Sequence, residues 1–329
     1  MKIVDMHCDT IERIYHGHGE SLLKNRLHVS AEGMRQGDYL LQNFAVFVDM
    51  ESTKDAAKTA FEMIACYERT LEETASSLRP ARCFEDIREN QKAGRMSAVL
   101  TIEEGGVLGG ELLNLQRFYD LGVRMMTLTW NYENELGSPN LLWDHAGMPR
   151  WDKRNEKGLT EFGIFAVEEM ERLGMVVDVS HLSDGGFWDV AAHTKKPFVA
   201  SHSNASALCG VSRNLTDPMI RLLAERGGVM GINFCEDFLT EAAYRDEESI
   251  LEAIVAHIRH AVKTGGIEVC GLGSDFDGIE GNRAIRHAGQ MPKLADALEK
   301  AGFLPSQIDK ICSQNVLRVY RDTWRGERK

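Results

Sequence analysis

The sequence predicts an α/β fold, a (β/α)8 TIM barrel formed as a single domain over residues 1–329, with a long loop after the fourth strand. Three observations carry this expectation. Eight short runs rich in apolar and β-branched residues recur along the chain, each bounded by Gly, Asp or Asn. Stretches of helical periodicity separate them. Several runs are almost continuously apolar, as suits strands buried on both faces of a parallel sheet. Strand followed by helix, eight times, is the pattern of a barrel; a doubly wound open sheet shares the periodicity and is the second compatible architecture.

In chain order the predicted strands are Lys2 to Asp9, Leu40 to Asp49, Ser97 to Glu103, Arg124 to Trp130, Met175 to His181, Pro197 to His202, Gly228 to Phe234 and Val269 to Asp275. Between the second and third, Ala57, Phe61, Ile64 and Leu71 mark one helical face. After the sixth, Thr216, Asp217 and Pro218 read as an N-cap followed by an acid and a proline in the first turn, where a missing N–H costs little. Ahead of the eighth, Ile250, Leu251, Ile254, Val255, Ile258, Ala261 and Val262 form an apolar stripe that Gly265 and Gly266 end. The longest stretch without periodicity, Asn131 to Lys157, carries Trp143, Trp151, Pro139 and Pro149. A loop of that length inside a compact domain reads as a lid or binding loop, or as an oligomer contact.

Composition narrows the function classes. Apolar residues make up 43% of the chain, too many for disorder, and Asp plus Glu exceed Lys plus Arg by 50 to 38, a formal charge of −12. Phosphate backbones attract basic faces, so nucleic acid is not an expected partner. No apolar run approaches the roughly 20 residues that span a bilayer, and the N-terminus lacks an apolar leader with a small-residue cleavage site. The expectation is a cytoplasmic chain with no membrane partner. The seven cysteines form no C-x-x-C pair and read as reduced, mostly buried thiols. Absence of G-x-S-x-G, of a Walker lysine loop and of G-x-G-x-x-G removes the anchors of serine hydrolases, P-loop proteins and Rossmann enzymes.

Chemistry-bearing residues fall at the ends of the predicted strands. His7 and Asp9 sit two apart at the end of the first, and because strand side chains alternate, both point the same way. Glu103 ends the third strand, His181 the fifth, His202 the sixth and Asp275 the eighth. In a barrel these ends share one rim, where such folds place catalysis. His7, Asp9, Glu103, His181 and His202 are five N and O donors suited to zinc, more than the three a mononuclear catalytic zinc uses. Two ions sharing Glu103 and a hydroxide would make the nucleophile and polarise a carbonyl together, so hydrolysis is the expected reaction class. His16 and His18 read as loop residues, and His257 and His260 as solvated or core-edge positions on a helix. Ser201 and Ser203 read as facing away from the metals, and Gly105, Gly106, Gly109 and Gly110 as a close-packed turn.

Taken in order along nearly the whole chain, these motifs resemble the membrane (renal) dipeptidases and their bacterial relatives among the amidohydrolase-like barrels. The resemblance runs through His7-x-Asp9, Ile102-Glu103, Leu128-Thr129, Asp178-Val-Ser-His181, Ser201-His202-Ser203, Ser212-Arg213-Asn214-Leu215, Gly273-Ser-Asp275-Phe-Asp277-Gly278 and Asn315-Val-Leu-Arg-Val319. It implies two Zn2+ per chain, one on His7 and Asp9, the other on His181 and His202, with Glu103 bridging them. It further implies that Arg213 grips the substrate's C-terminal carboxylate and that Asp275 passes a proton from hydroxide to the leaving amine. The activity so implied is that of a metallo-dipeptidase hydrolysing small L-L or L-D dipeptides, and the likeness suggests a homodimer. An alternative keeps the metals and assigns an N-acyl amino acid, lactam or other amide substrate; a barrel that binds peptides without cleaving them is a third reading.

Two departures accompany the likeness. The family's Glu-Gly-Gly stands here as Glu103-Glu104-Gly105-Gly106, so either glutamate is available to bridge, and counting to the next strand favours Glu103. Many members carry a histidine where this chain has Trp130. Carbonyl polarisation then falls to metal, to Asn131 or to a lid residue, for which His145 is the candidate, while Trp130 walls the substrate pocket.

Overall fold

Eight parallel strands close on themselves: β1 (Ile3–Asp5), β2 (Tyr39–Phe47), β3 (Met96–Glu103), β4 (Val123–Thr127), β5 (Val176–Asp178), β6 (Val199–Ala200), β7 (Val229–Ile232) and β8 (Cys270–Leu272). The structure is a computed structural model that describes residues 1–17 and 21–324; His18 lies outside the described residues. Each strand pairs with its neighbour in sequence, and β8 returns to β1 with Leu272 opposite Asp5. That closure excludes the doubly wound sheet. Every predicted run overlaps one barrel strand. The ladder is uneven: β2 and β3 stay in register from Leu41 opposite Ser97 to Phe47 opposite Glu103, whereas β5 and β6 meet at Asp178 and Val199 alone.

Alternation along the strands sorts the apolar side chains into two cores. Ile3, Leu100, Met126, Val177, Ala200 and Met230 join the layer between barrel and helices. Their neighbours Val4, Val99, Met125, Val176, Val199 and Val229 form a second cluster, completed by Val316, Val319, Tyr320 and Trp324 of the C-terminal segment. The helix Asn315–Thr323 lies across the N-terminal end of the barrel, because its partners just precede β6, β7 and β8. Lys196 Nζ donates to the Thr323 carbonyl, and Arg318 donates to the carbonyls of Gly227 and Glu268. Tyr320 Oη reaches further in and donates to Asn43 Oδ1 at 2.9 Å.

The expected helices form with nearly the expected limits: Ala56–Glu73, Asp217–Glu225 after Thr216, and Glu247–Gly265 ended by Gly266 at φ 83°. None of the described helices is long and apolar enough to cross a membrane. His257 is not solvated but fully buried, with Nδ1 accepting from the Ala205 N–H at 3.0 Å and Nε2–H donating to the Leu239 carbonyl at 2.8 Å. Burial pushes its pKa down to about 4, so the neutral ring ties two loops of the rim together. The segment after β4 contains a small hairpin, Leu142–Trp143 against Pro149–Arg150, with Trp143 and Met148 exposed.

Candidate metal centre and active site

The side chains expected at strand ends converge at the C-terminal mouth of the barrel. Of these, Glu103 alone belongs to a strand; His7, Asp9, His181, His202 and Asp275 lie two to four residues beyond β1, β5, β6 and β8, where continuous pairing has ended and, between β1 and β8, a single bridge of Cys8 with Phe276 persists. The strands therefore stop earlier than periodicity implies. His181 and Asp275 have φ of 65° and 62°, and Glu104 and Asp277 have 87° and 68°. These are left-handed conformations that residues with a Cβ rarely adopt, gathered here at one site. Gly278 is required by crowding, since a Cβ there would collide with the Asp9 and Asp275 carboxylates.

Glu103 sits at the centre. Its Oε2 lies 3.1 Å from His7 Nε2, while Oε1 lies 3.2 Å from His181 Nε2 and 3.5 Å from His202 Nε2. His7 Nε2 is also 3.2 Å from Asp9 Oδ2 and 3.9 Å from Asp275 Oδ1. Across the centre, the Nε2 atoms of His181 and His202 face one another at 3.1 Å. Glu104 turns away: its carboxylate accepts from the N–H of Gly106 at 2.7 Å, the N–H of Trp130 at 2.9 Å and the Asn134 amide.

This donor set fits divalent cations. His7, Glu103 and His202 bring three ligand atoms within 4.8 Å of one another, and so do His7, Asp9 and Asp275. All are buried, and Asp9 Oδ1 has no hydrogen-bond partner. Ring nitrogens and carboxylate oxygens oppose one another with few protons to share, an arrangement that cations relieve. The electrostatics carry the same signature. Burial, with Glu103 adding to it against the opposing effect of His7, pushes Asp9 up to about 8, and burial also raises Asp275. Burial works against charge on Glu103 too, yet His7, His181 and His202 outweigh it and hold that carboxyl well below the usual range. On His7, burial is overcome by Glu103 and Asp9, which raise its pKa; burial and the Arg213 charge lower His181 to about 4.

A cavity of about 230 Å³ opens onto Asp9, Glu103, His181 and Asp275 and is walled by Phe47, Trp130, Asn131, Trp151 and Phe238. Larger hollows of about 570 and 640 Å³ among the outer helices share none of these residues. Asn131 also meets a ligand candidate, with Oδ1 3.0 Å from His181 Nδ1. Beyond Asn131, the residue of the long segment on the cavity wall is Trp151; His145, expected there, is exposed in the hairpin turn capped by Asp144 and does not line the cavity. Arg213 is buried behind the wall, its Cζ 5.8 Å from the Phe238 ring centroid. Its Nη1 donates to Ser203 Oγ at 2.8 Å, while Nε and Nη2 have no partner.

Sequence reasoning missed the residues that support these groups. Asn233, just past β7, donates through Nδ2 to Asp275 Oδ2 at 2.9 Å. Ser201 does face away from Glu103, but its Oγ lies 2.7 Å from His202 Nδ1 and donates to Asp178 Oδ2 at 2.5 Å. The available signal was position: Asn233 stands one residue before the end of its run, close to where the ligand candidates end theirs, and Asp178 and Ser201 stand within three residues of a histidine.

Comparison with known proteins agrees with this geometry. The model of the membrane dipeptidase family, peptidase family M19, matches residues 1–328. An uncharacterized protein from the pqqA 5′ region of Klebsiella pneumoniae is 35% identical over 270 residues, 82% of this chain and 98% of that one. An uncharacterized dipeptidase of Schizosaccharomyces pombe is 31% identical over 309 residues, 90% of this chain and 72% of its own. Among solved structures, the metallopeptidase dipeptidase AC superposes with a TM-score of 0.90 at 26% identity, covering 98% of this chain and 99% of that one. A Rhodobacter sphaeroides metallopeptidase bound to a phosphinate mimic of L-Ala-D-Ala superposes with a TM-score of 0.89, also at 26% identity and with the same coverage. The chain thus belongs to the membrane dipeptidase family, peptidase family M19, and is a metal-dependent dipeptidase.

Proposed function

We propose that this dipeptidase hydrolyses small L-L or L-D dipeptides with two zinc ions, one held by His7 and Asp9, the other by His181 and His202, and Glu103 between them. The observation that carries this reading is the division of labour on Glu103, with Oε2 toward His7 and Oε1 toward His181 and His202. When bound, the ions supply Lewis-acid polarisation of the scissile carbonyl and make a water acidic enough to attack at neutral pH. The chain's own groups do the rest. Asp275 takes a proton from water and returns it to the departing amine, a role supported by its anchoring at Oδ2 by Asn233 and by Oδ1 lying on the side of His7. Arg213 offers two unpaired nitrogens, Nε and Nη2, which suit the substrate's terminal carboxylate as a planar fork. Trp130, Asn131 and Trp151 wall a cavity sized for small residues and limit access of bulk water. The R. sphaeroides relative's L-Ala-D-Ala mimic supports tolerance of a D residue at the second position.

Elemental analysis of the zinc-reconstituted chain tests the reading. Two zinc ions per chain, with cleavage of L-Ala-D-Ala or L-Ala-L-Ala that disappears in a folded His202→Ala variant, are the expected result. Well under two ions after reconstitution overturns the binuclear centre.

A further inference from the structure

We propose that Asp178, acting through Ser201, holds the His202 ring with its proton on Nδ1 and its Nε2 lone pair presented to the metal centre. The inference rests on the reading of His202 as a ligand and adds a positioning residue to it.

Asp178 ends β5 and is completely buried. Its Oδ1 accepts from the N–H of Ser180 at 3.0 Å and of Ser201 at 2.8 Å; its Oδ2 accepts from Thr127 Oγ1 and Ser201 Oγ, each at 2.5 Å. A hydroxyl has one proton, and a carboxylate can only accept, so the Ser201 proton goes to Asp178. Toward His202 Nδ1, 2.7 Å away, Ser201 then has lone pairs alone. The ring must donate there, which leaves Nε2 unprotonated 3.5 Å from Glu103 Oε1. Ser180 completes the mount, its Oγ accepting from the His202 N–H at 3.0 Å. None of Asp178, Ser180 and Ser201 lines the cavity, and their hydrogen bonds run to one another, to Thr127 and to His202.

The other two histidines are held differently. His181 Nδ1 meets the neutral amide of Asn131, and His7 Nδ1 has no hydrogen-bond partner. His202 is thus the histidine of the centre whose ring proton is set by a buried carboxylate. In Asp178→Asn an amide N–H2 replaces one oxygen. The two backbone N–H groups cannot turn round, so the N–H2 faces the hydroxyls. Ser201 then accepts from Asn and turns its own proton either toward Ser180 Oγ, 3.3 Å away, or onto His202 Nδ1 at 2.7 Å; the shorter contact favours His202, which drives the ring proton to Nε2, where it competes with metal.

The test uses the full zinc-loaded chain, with zinc affinities from chelator competition and the His202 ring state from long-range 1H–15N correlation spectra. Asp178→Asn is expected to weaken one of the two zinc sites by about 10- to 100-fold, leaving the other close to wild type, and to abolish the Nδ1-protonated pattern of His202. Ser201→Ala is expected to weaken the same site, and Ser201→Thr, which keeps the hydroxyl, to restore it. Wild-type affinity at both sites together with an unchanged His202 ring in Asp178→Asn and Ser201→Ala overturns the relay. If Asp178→Asn fails to fold, the Ser201→Ala and Ser201→Thr pair decides. A wild-type chain holding fewer than two zinc ions counts against the binuclear reading alone, and the His202 ring pattern in Ser201→Ala against wild type then judges the relay.

Discussion

The two ends of this barrel are made from the same eight strands and are built in opposite ways. At the N-terminal end, Val4, Val99, Met125, Val176 and Val229 meet Val316, Val319 and Tyr320 of the closing helix, and the Tyr320 hydroxyl has its partner in Asn43. The unpartnered polar atoms of that segment, Asn315 Oδ1, Arg318 Nε, Thr323 Oγ1 and Trp324 Nε1, are spread along its length and include no carboxylate and no imidazole. At the C-terminal end, within the reach of one side chain, Asp9, Glu103, Asp275, three histidines and Arg213 are buried together, and Asp9 Oδ1 and two Arg213 nitrogens lack partners. Apolar burial favours folding, whereas unpaired buried charge opposes it. Apolar packing at one end therefore offsets the cost of holding a buried, charged constellation ready for cations and substrate at the other.

Substitution at each end should break that division in a different observable. The largest effect is expected for Glu103→Gln, which removes the charge common to both halves of the centre. Loss of several kcal/mol of transition-state stabilisation lowers kcat/KM by on the order of 10³, with metal content falling in parallel by elemental analysis. Glu104→Gln is the control that sharpens it. Its carboxyl, raised to about 7 by burial, accepts from Gly106, Trp130 and Asn134, so the cost is expected in Tm, with metal content unchanged. At the opposite end, Tyr320→Ala empties part of the barrel core and is expected to cost about 3–5 kcal/mol in chemical denaturation while kcat of the folded fraction stays at the wild-type value. A loss of kcat there would show that the two ends are not separable.

The smallest effect, and the most discriminating, is expected for Arg213→Met. Removing the guanidinium should raise KM for a dipeptide by about 10- to 100-fold, the value of a charge-assisted hydrogen bond. Stability should hold or rise, because the one bond lost, from Nη1 to Ser203 Oγ, is offset by removal of a buried charge whose Nε and Nη2 have no partner. A drop in Tm with KM unchanged would instead make Arg213 a structural residue.

Most of the architecture was legible beforehand. Strand positions followed from runs such as Met175 to His181 and Val269 to Asp275, because a strand covered on both faces must be apolar at consecutive positions. The rim was legible for the same reason: once strands alternate with helices in a barrel, residues that end strands share one end, which is why His7, Glu103, His181, His202 and Asp275 come together. Helix limits at Thr216 and Gly266 were readable from local signals, although the Thr216 side chain makes no capping hydrogen bond and the start there rests on Asp217 and Pro218 in the first turn.

What local pattern left open depended on distances between residues far apart in the chain. The choice between Glu103 and Glu104 turns on a left-handed residue at 104 that hands its carboxylate to Trp130 and Asn134. Trp151 rather than His145 reaches the cavity because of where a hairpin folds back, and Asn131 reaches His181 across 50 residues. The carboxylate of Asp178 meets Ser201 because β5 and β6 pair at Asp178 and Val199, and the C-terminal helix finds the open end of the barrel because that end is apolar. Periodicity and composition are properties of neighbours along the chain, so they determined the strands, the helices and the list of residues on the rim. Closure of the sheet and the turns that follow each strand set partners and orientations, and those belong to the folded molecule.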